Sequence, residues 1–144
     1  MKEKVFPSYM DDIELPEGAC ATERSVYRIC RTGKVEADSF LTTFVEYKKG
    51  GRLQELDLSD VGSYSMSVYE KLRDAKRYYG LFSKREPSVI VAAGVTAIDC
   101  GVSQLTKERE PKRKNSHVDW WLYEGAKPYE HFEEVDVFAD PKIV

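Results

Sequence analysis

Histidine and cysteine are scarce in this sequence, which limits the metal and redox chemistry it can carry. Its 144 residues include two histidines and three cysteines. The cysteines form no Cys-x-x-Cys pair, so neither a disulfide framework nor a zinc site of the cysteine type is indicated. A site on His117 and His131 would have to recruit Asp119 and a glutamate without any ligand spacing to support it, so we predict no bound metal.

Long apolar runs and an excess of basic residues are also missing. No apolar stretch reaches the roughly 18 residues that a transmembrane helix needs, and residues 1–15 lack the apolar centre of a signal peptide. The formal net charge of -3 does not provide the excess of Lys and Arg that broad binding to nucleic acid or to an anionic membrane requires. Together with the unpaired cysteines, this predicts a cytoplasmic protein that contacts no membrane and whose partner is not nucleic acid.

Signatures of well-known catalytic sites are absent as well. Gly94 and Gly101 stand alone, so the sequence has no glycine-rich loop to hold a phosphate. No motif resembles the strand-to-helix turn that presents the nucleophilic serine of many hydrolases. The sequence therefore leaves open whether the protein is an enzyme.

The composition that remains is that of one globular domain. Apolar residues make up 42% and charged residues 33% of the chain, enough for one core and a solvated surface. At this length, folding removes roughly 70% of the unfolded chain's surface from water. We predict an irregular lead-in over residues 1–18, where Pro7 and Pro16 remove backbone donors, followed by a single domain over residues 19–144.

Hydrophobic periodicity predicts several strands and one clear helix. The segments with strand character are residues 25–30, 88–93, 117–123 and 133–138. Ser67 and Glu70 have the spacing of a capping box, and apolar residues then recur three and four apart until Gly80, so a helix is predicted over about residues 68–79. Residues 39–47 fit either a helix or a strand. Strands separated mainly by turns predict an α+β fold: a single compact domain with a mainly antiparallel sheet, one well-defined helix and room for a second.

The predicted strand over residues 117–123 holds the densest group of side chains that can bind or react. Alternation along it places His117, Asp119, Trp121 and Tyr123 on one face, where a histidine oriented by a carboxylate beside aromatic rings could act as acid and base or bind a planar ligand. The alternative interpretation is the solvent-facing side of an edge strand. Trp120 faces the core, so Trp121 points away from it, and an exposed indole usually has a partner.

Two features could hold an anion. Arg28 lies inside a predicted strand and needs a partner, because an unpaired buried charge is costly. The basic loop, residues 107–114, lies shortly before the row of His117, Asp119, Trp121 and Tyr123, which we call the aromatic row. The loop could therefore bind a phosphate while an aromatic ring stacks on a base. The alternative for this loop is a flexible, solvated segment.

Three short segments of the sequence, taken in chain order, resemble motifs of the ADP-ribosyltransferase family of the toxin and poly-ADP-ribose type. Arg28 after Tyr27 resembles the family's arginine on an early strand. Residues 63–67, with methionine where threonine is expected, resemble its serine-threonine-serine strand, and Glu134 resembles its late glutamate. The resemblance implies a split antiparallel sheet that clamps NAD. It also implies that Arg28 meets a phosphate, that Ser65 holds the strand at the nicotinamide ribose, and that Glu134 binds a ribose hydroxyl while the glycosidic bond breaks.

These observations support two hypotheses of different classes. In the first, a nucleotide-like small molecule, NAD if the resemblance holds, binds a cleft lined by Arg28, His117, Asp119 and Trp121. In the second, a non-catalytic interaction protein, such as an inhibitor or an immunity-type partner, uses exposed Trp121 and Tyr123 as a hot spot for another protein. Convergence of Arg28 and His117 on one concave pocket would favour the first, and a flat aromatic surface the second.

Overall fold

An antiparallel sheet of six strands forms the centre of the computed structural model, which describes residues 4–138. The strands are β1 (Ser25–Cys30), β2 (Met66–Tyr69), β3 (Ile90–Val95), β4 (Gly101–Leu105), β5 (His117–Leu122) and β6 (Phe132–Val135). The α-helices are α1 (Thr43–Lys49) and α2 (Leu72–Phe82). The short 3-10 segments are Ser8–Met10, Ala37–Ser39, Leu53–Glu55, Val61–Tyr64, Thr106–Glu108 and Pro128–His131. The predicted α+β class, a single compact domain built on an antiparallel sheet, is confirmed.

The strands lie side by side in the order β4-β5-β2-β1-β3-β6. The β1 prediction is confirmed with its bounds unchanged, and the other three predicted strands occur with shifted ends. β3 runs through Gly94 rather than ending there, because β6 pairs with it at this position: Gly94 lies opposite Phe132, and a Cβ on Gly94 would lie 2.5 Å from the Phe132 ring.

Both faces of the sheet are covered by apolar side chains. The core on one face includes Val26, Met66, Val68, Val118 and Trp120. The core on the other face includes Ile29, Tyr69, Val91 and, from α2, Ala75. Because Tyr27 pairs with Tyr69 and Tyr69 with His117, the odd-numbered residues of β2 and β5 lie on the same face as α2. That face carries the polar side chains discussed below.

Helix α2 begins later than the sequence predicts. Ser67 and Val68 belong to β2, whose pairing with β5 supplies the backbone partners that the predicted helix would have supplied, and Val68 is fully buried. The helix begins at Leu72 after Lys71, which makes no side-chain cap, and it continues through Gly80 to Phe82. The capping-box prediction is therefore wrong, because strand pairing across the sheet outweighs a local helix signal. Within residues 4–138, no helix is long and apolar enough to cross a lipid bilayer.

The ambiguous segment, residues 39–47, resolves largely into helix α1. The Thr42 side chain accepts a hydrogen bond from the amide of Val45 and so satisfies one free donor of the first turn. Phe44 is the buried residue of this short helix. Glu46 of the same helix faces β1, where its carboxylate forms an ion pair with Arg28.

The sheet opens between its two middle strands. β1 and β2 pair only at Tyr27 and Tyr69, whereas β1 pairs with β3 over its whole length. Residues of both α1 and α2 line the cavity at this opening, together with Arg28, Ser67 and Tyr69 of the two strands. The opening between β1 and β2 therefore creates a depression on the α2 face.

The lead-in packs onto the protein rather than standing apart from it. Residues 4–18 contain no strand or α-helix, yet Met10 is buried against Phe44, Tyr64 and Trp121. Tyr9 stacks on Phe44 with ring centroids 4.3 Å apart. This segment covers one end of the sheet at β5.

Candidate functional site

Arg28 occupies the opening between β1 and β2. Its Nη1 donates to the main-chain oxygen of Ser67 at 2.9 Å, and its Nε donates to the main-chain oxygen of Ser39 at 2.9 Å. Its Nη2 donates to Leu41 O at 3.4 Å and to the Glu46 carboxylate at 3.2 Å. The partner that the sequence requires for Arg28 is therefore Glu46 together with backbone carbonyls. The guanidinium replaces β1 amides in holding β2.

A cavity, which we call the inner cleft, lies above this opening. Its volume is about 250 Å³, and it is walled by the rings of Tyr47, Tyr69, Tyr78 and Phe82, with Ser67 and Arg28 also lining it. The rings of Tyr69 and Tyr78 stack on each other with centroids 5.0 Å apart, which fixes that wall. The cleft therefore offers aromatic surface beside a cation and a hydroxyl.

A second, more open depression, the outer groove, continues from the inner cleft. The two share Arg31, Glu46 and Tyr47, and the outer groove has a volume of about 440 Å³. Lys49 and Arg52 add two more cations to it. All three cations form ion pairs in which the cation is about half exposed, namely Arg31 with Glu86, Lys49 with Asp38 and Arg52 with Glu55. Such exposed pairs are each worth about 1 kcal/mol or less, so an incoming anion can compete for them.

A buried polar network centred on Asp119 lies on the face of the sheet that carries α2. Asp119 is 2% exposed, and its carboxylate accepts hydrogen bonds from Ser65 Oγ at 2.6 Å, Thr106 Oγ1 at 2.7 Å and Arg109 Nη1 at 2.7 Å. Arg109 also donates to Gln104. The basic loop predicted to grip a phosphate therefore turns Arg109 inward, where it neutralises a buried carboxylate.

His117 links this network to the inner cleft. Its Nδ1 lies 2.5 Å from Thr106 Oγ1, and its Nε2 lies 2.8 Å from Ser67 Oγ. Burial lowers the pKa of His117 to about 4; the Asp119 charge opposes this shift, and nearby arginines, including Arg109, reinforce it. The imidazole is therefore neutral at neutral pH.

Arg28 and His117 meet at Ser67 but not in the same way. Arg28 holds the Ser67 carbonyl and lines the inner cleft, whereas His117 contacts the Ser67 hydroxyl from behind the cleft wall. The Tyr69 ring packs edge-on against the imidazole at 5.5 Å. Asp119 and Ser65 lie deeper still, and neither lines the cleft.

The predicted exposure of the aromatic row is wrong. Trp121 is 0% exposed, packs in the cluster that contains Met10, and donates its indole N–H to Val61 O at 3.0 Å. Tyr123 lies beyond the end of β5, half-buried, with its ring 5.0 Å from Phe6. Residues 4–18 and the 3-10 segment at Val61–Tyr64 cover this row, so Trp121 can neither line a cleft nor serve as a surface hot spot.

Glu134 lies apart from the inner cleft. It is exposed on β6, where it pairs with Ala92, which in turn pairs with Arg28, so Glu134 and Arg28 are separated by the width of β3. Glu134 borders a different depression, together with Tyr79. The carboxylate that does line the inner cleft is Glu46.

Several residues of the site were not identified from the sequence. The capping-box pattern assigns Ser67 to a helix, and no sequence pattern described above singles out Thr106, Tyr69 or Tyr78. The alternation of Ser67 and Tyr69, continued by Ser65 directly before the strand, is a strand signal that places Ser67 and Tyr69 on one face of β2.

One group of potential metal ligands occurs among residues 4–138. Ligand atoms of Asp99, Cys100 and His131 lie within 4.8 Å of one another. Burial raises the pKa of the Cys100 thiol to about 12, so a metal ion would have to displace a firmly held proton. This group shares only His131 with the set considered in the sequence, since His117 and Asp119 lie elsewhere, in the buried network.

A scan against protein-family models and comparisons with curated proteins and with solved structures found no match. The site is therefore interpreted from its own geometry.

Proposed function

We propose that the inner cleft and the outer groove together bind a nucleotide-like ligand, with NAD as the leading candidate. The observation that carries this proposal is the opening of the sheet between β1 and β2, which leaves an aromatic-walled cavity with Arg28 at its edge. Planar heterocycles bind well against aromatic walls, and a few polar groups then fix their orientation.

The sizes of the two cavities suit the two parts of such a ligand. Small-molecule sites usually occupy about 300 to 1,000 Å³. The inner cleft, at about 250 Å³, has room for one heterocycle and part of its sugar, and the outer groove, at about 440 Å³, has room for phosphates and a second sugar. A dinucleotide would need both.

The charges divide in the same way. Arg31, Lys49 and Arg52 line the outer groove in ion pairs that a phosphate can displace. Arg28 is already held by Glu46 and by backbone carbonyls. We assign the phosphate to the outer groove, and Arg28 shapes the cleft and adds positive potential to it.

This arrangement supports the resemblance to ADP-ribosyltransferases in one respect and modifies it in another. The resemblance implies a split antiparallel sheet and an arginine on an early strand, and here Arg28 of β1 lies at the point where the sheet opens. The role it implies for Glu134 is not part of the proposal, because this carboxylate lies across β3 from the cleft. The proposal concerns binding.

A thermal-shift and calorimetry panel tests the proposal directly. We expect NAD or ADP-ribose at millimolar concentration to raise the melting temperature and to give a saturable heat of binding, with cyclic nucleotides as a comparison. A ligand at 100 times its Kd stabilises a protein by about 2.7 kcal/mol, which is easily measured. No response to any member of the panel would remove the proposal.

Replacing Tyr78 with leucine should weaken this binding roughly tenfold, because stacking of a base on an aromatic ring is worth about 1 to 3 kcal/mol. Tyr78→Phe keeps the ring and should bind like the unmodified protein. Tyr79→Leu is the matched control on the same helix, since Tyr79 borders the other depression. Calorimetric titration with ADP-ribose measures all three, and equal losses in Tyr78→Leu and Tyr79→Leu would place the ligand elsewhere.

A further inference from the structure

Ser67 is in hydrogen-bond contact with a histidine and also lines a cavity. Its side chain is partly exposed in the inner cleft, and Oγ lies 2.8 Å from His117 Nε2. On the far side of the ring, Nδ1 contacts Thr106 Oγ1, which contacts Asp119. Four side chains thus form one continuous chain from the cleft to a buried carboxylate.

The donor and the acceptor of each hydrogen bond in this chain of side chains follow from the Asp119 carboxylate at its buried end. The Asp119 carboxylate can only accept, so Thr106 donates its single hydroxyl hydrogen to it. Thr106 Oγ1 must then accept from His117, which places a hydrogen on Nδ1. The neutral ring has no hydrogen left for Nε2, so Nε2 accepts from the hydroxyl of Ser67. The imidazole is therefore oriented to receive the Ser67 proton.

We propose that Ser67 is a nucleophile, activated by His117, that takes the acyl group from an ester bound in the inner cleft. Ser67 Oγ bonds to the carbonyl carbon as its proton passes to His117 Nε2, and the carbonyl electrons move onto oxygen. When the tetrahedral intermediate collapses, the carbon–oxygen bond to the leaving alcohol breaks, and that alcohol takes the proton from Nε2. Water then attacks the acyl-serine by the same route in reverse, so ester and water give acid and alcohol.

Surrounding groups compensate the charges that this step creates. The imidazolium that forms keeps its Nδ1 hydrogen on Thr106 and lies near the buried Asp119 carboxylate. The Arg28 guanidinium, which holds the Ser67 carbonyl at 2.9 Å, places positive charge next to the developing oxyanion. Thr106 and Asp119 act here as positioning residues.

The lining of the inner cleft defines the class of ester. Aromatic walls favour a flat leaving group. The outer groove is lined by three cations and also by three carboxylates, Asp38, Glu46 and Glu86, so it holds a negatively charged part of the substrate where that part displaces a carboxylate from its cation. We therefore assign an anionic ester with an aromatic or heterocyclic alcohol. This inference rests on the proposed function only in placing a ligand in the inner cleft.

The low pKa of His117 determines the expected rate at which Ser67 reacts and how that rate depends on pH. The ring is neutral above about pH 4, so it can accept a proton throughout the neutral range, but a base this weak reacts slowly. The charged and titratable groups facing it are Asp119, Arg113, Arg109, Arg28 and Tyr69. We expect a modification rate that is nearly constant between pH 5.5 and 7.5, whereas a histidine with an ordinary pKa of about 6.5 would give a tenfold rise.

A fluorophosphonate probe tests the proposal on the full chain. We expect one covalent adduct per molecule, located on Ser67 by peptide mass spectrometry, and turnover of a 4-nitrophenyl ester. Ser67→Ala should abolish the adduct, and Ser88→Ala, which removes an exposed serine outside the cleft, should not change it. His117→Gln should slow labelling of Ser67 about 100-fold.

The outcomes separate this inference from nucleotide binding. A Ser67→Cys variant, which keeps a nucleophile in place, should react with iodoacetamide faster than Cys20, the exposed native cysteine. Absence of a Ser67 adduct, or equal rates of Ser67 labelling in the unmodified protein and in His117→Gln, would overturn the proposal. Calorimetry of the unmodified protein with ADP-ribose reports binding independently of labelling. If the protein binds ADP-ribose but forms no Ser67 adduct, the proposed function is retained and the nucleophile is rejected; if it forms the adduct but binds no nucleotide, the nucleophile is retained and the proposed function is rejected.

Discussion

The Asp119→Asn variant should be less stable than the unmodified protein by about 3 kcal/mol, because breaking a buried ion pair leaves its partner uncompensated. Asp119 accepts from Ser65, Thr106 and Arg109 at once, and Arg109 Nη1 lies only 2.7 Å from its carboxylate. An amide removes the charge and turns one acceptor into a donor that faces other donors. For a chain of this length we expect a fall in melting temperature of roughly 10 °C.

Chemical denaturation at pH 7 measures this effect against a matched control. Asp38→Asn removes an exposed carboxylate that pairs with Lys49, with side chains 66% and 57% exposed. That change should cost less than about 0.5 kcal/mol. If Asp119→Asn were as mild as Asp38→Asn, the network under β2 and β5 would not be the structural centre that its geometry indicates.

Acid should destabilise the protein through His117 in a defined pH window. Burial lowers the pKa of this imidazole from 6.5 to about 4 in the folded chain. Between these values the unfolded chain takes up a proton that the folded chain does not, so stability is lost as the pH falls from about 6.5 to 4. The slope approaches about 1.4 kcal/mol per pH unit, and the total is on the order of 3 kcal/mol.

Comparison with His117→Gln isolates this contribution from the carboxylates that also titrate in acid. Hydrogen bonds from Ser59 and Ser116 lower the pKa values of Asp57 and Asp74, and both carboxylates weaken the fold in the same direction on acidification. The carboxylates contribute equally to the unmodified protein and to His117→Gln. The free energy of unfolding of His117→Gln should therefore fall less steeply between pH 6.5 and 4. His131→Gln, which removes the other histidine at a side chain 36% exposed, is the matched control. Parallel profiles for His117→Gln and the unmodified protein would contradict the burial of a neutral imidazole.

Local patterns in the sequence predict the sheet better than they predict the site. β1 follows from its strand-favouring residues, and alternation places His117 and Asp119 on one face, as the pairing of β5 with β2 shows. The helix near residue 70 exists, but its start is misplaced because Ser67, the first residue of the capping signal, belongs to β2 and pairs with Asp119 of β5. Pairing between strands fifty residues apart cannot be read from a local window.

The environment of the aromatic row illustrates the same limit. Alternation shows that Trp121 faces away from Trp120, but not what lies on that side. The covering comes from Met10 and Tyr64, distant in sequence and close in space. Likewise, the need of Arg28 for a partner follows from its position in a strand, whereas Glu46 and the Ser67 carbonyl are found only once α1 and β2 are placed.

A crystal of the protein soaked with ADP-ribose tests the central claim most directly. The account predicts density for a flat ring in the inner cleft against Tyr69 or Tyr78, with the phosphates in the outer groove beside Arg31. A ligand bound at any other surface, or an empty cleft in crystals soaked at a concentration that saturates binding in solution, would contradict it.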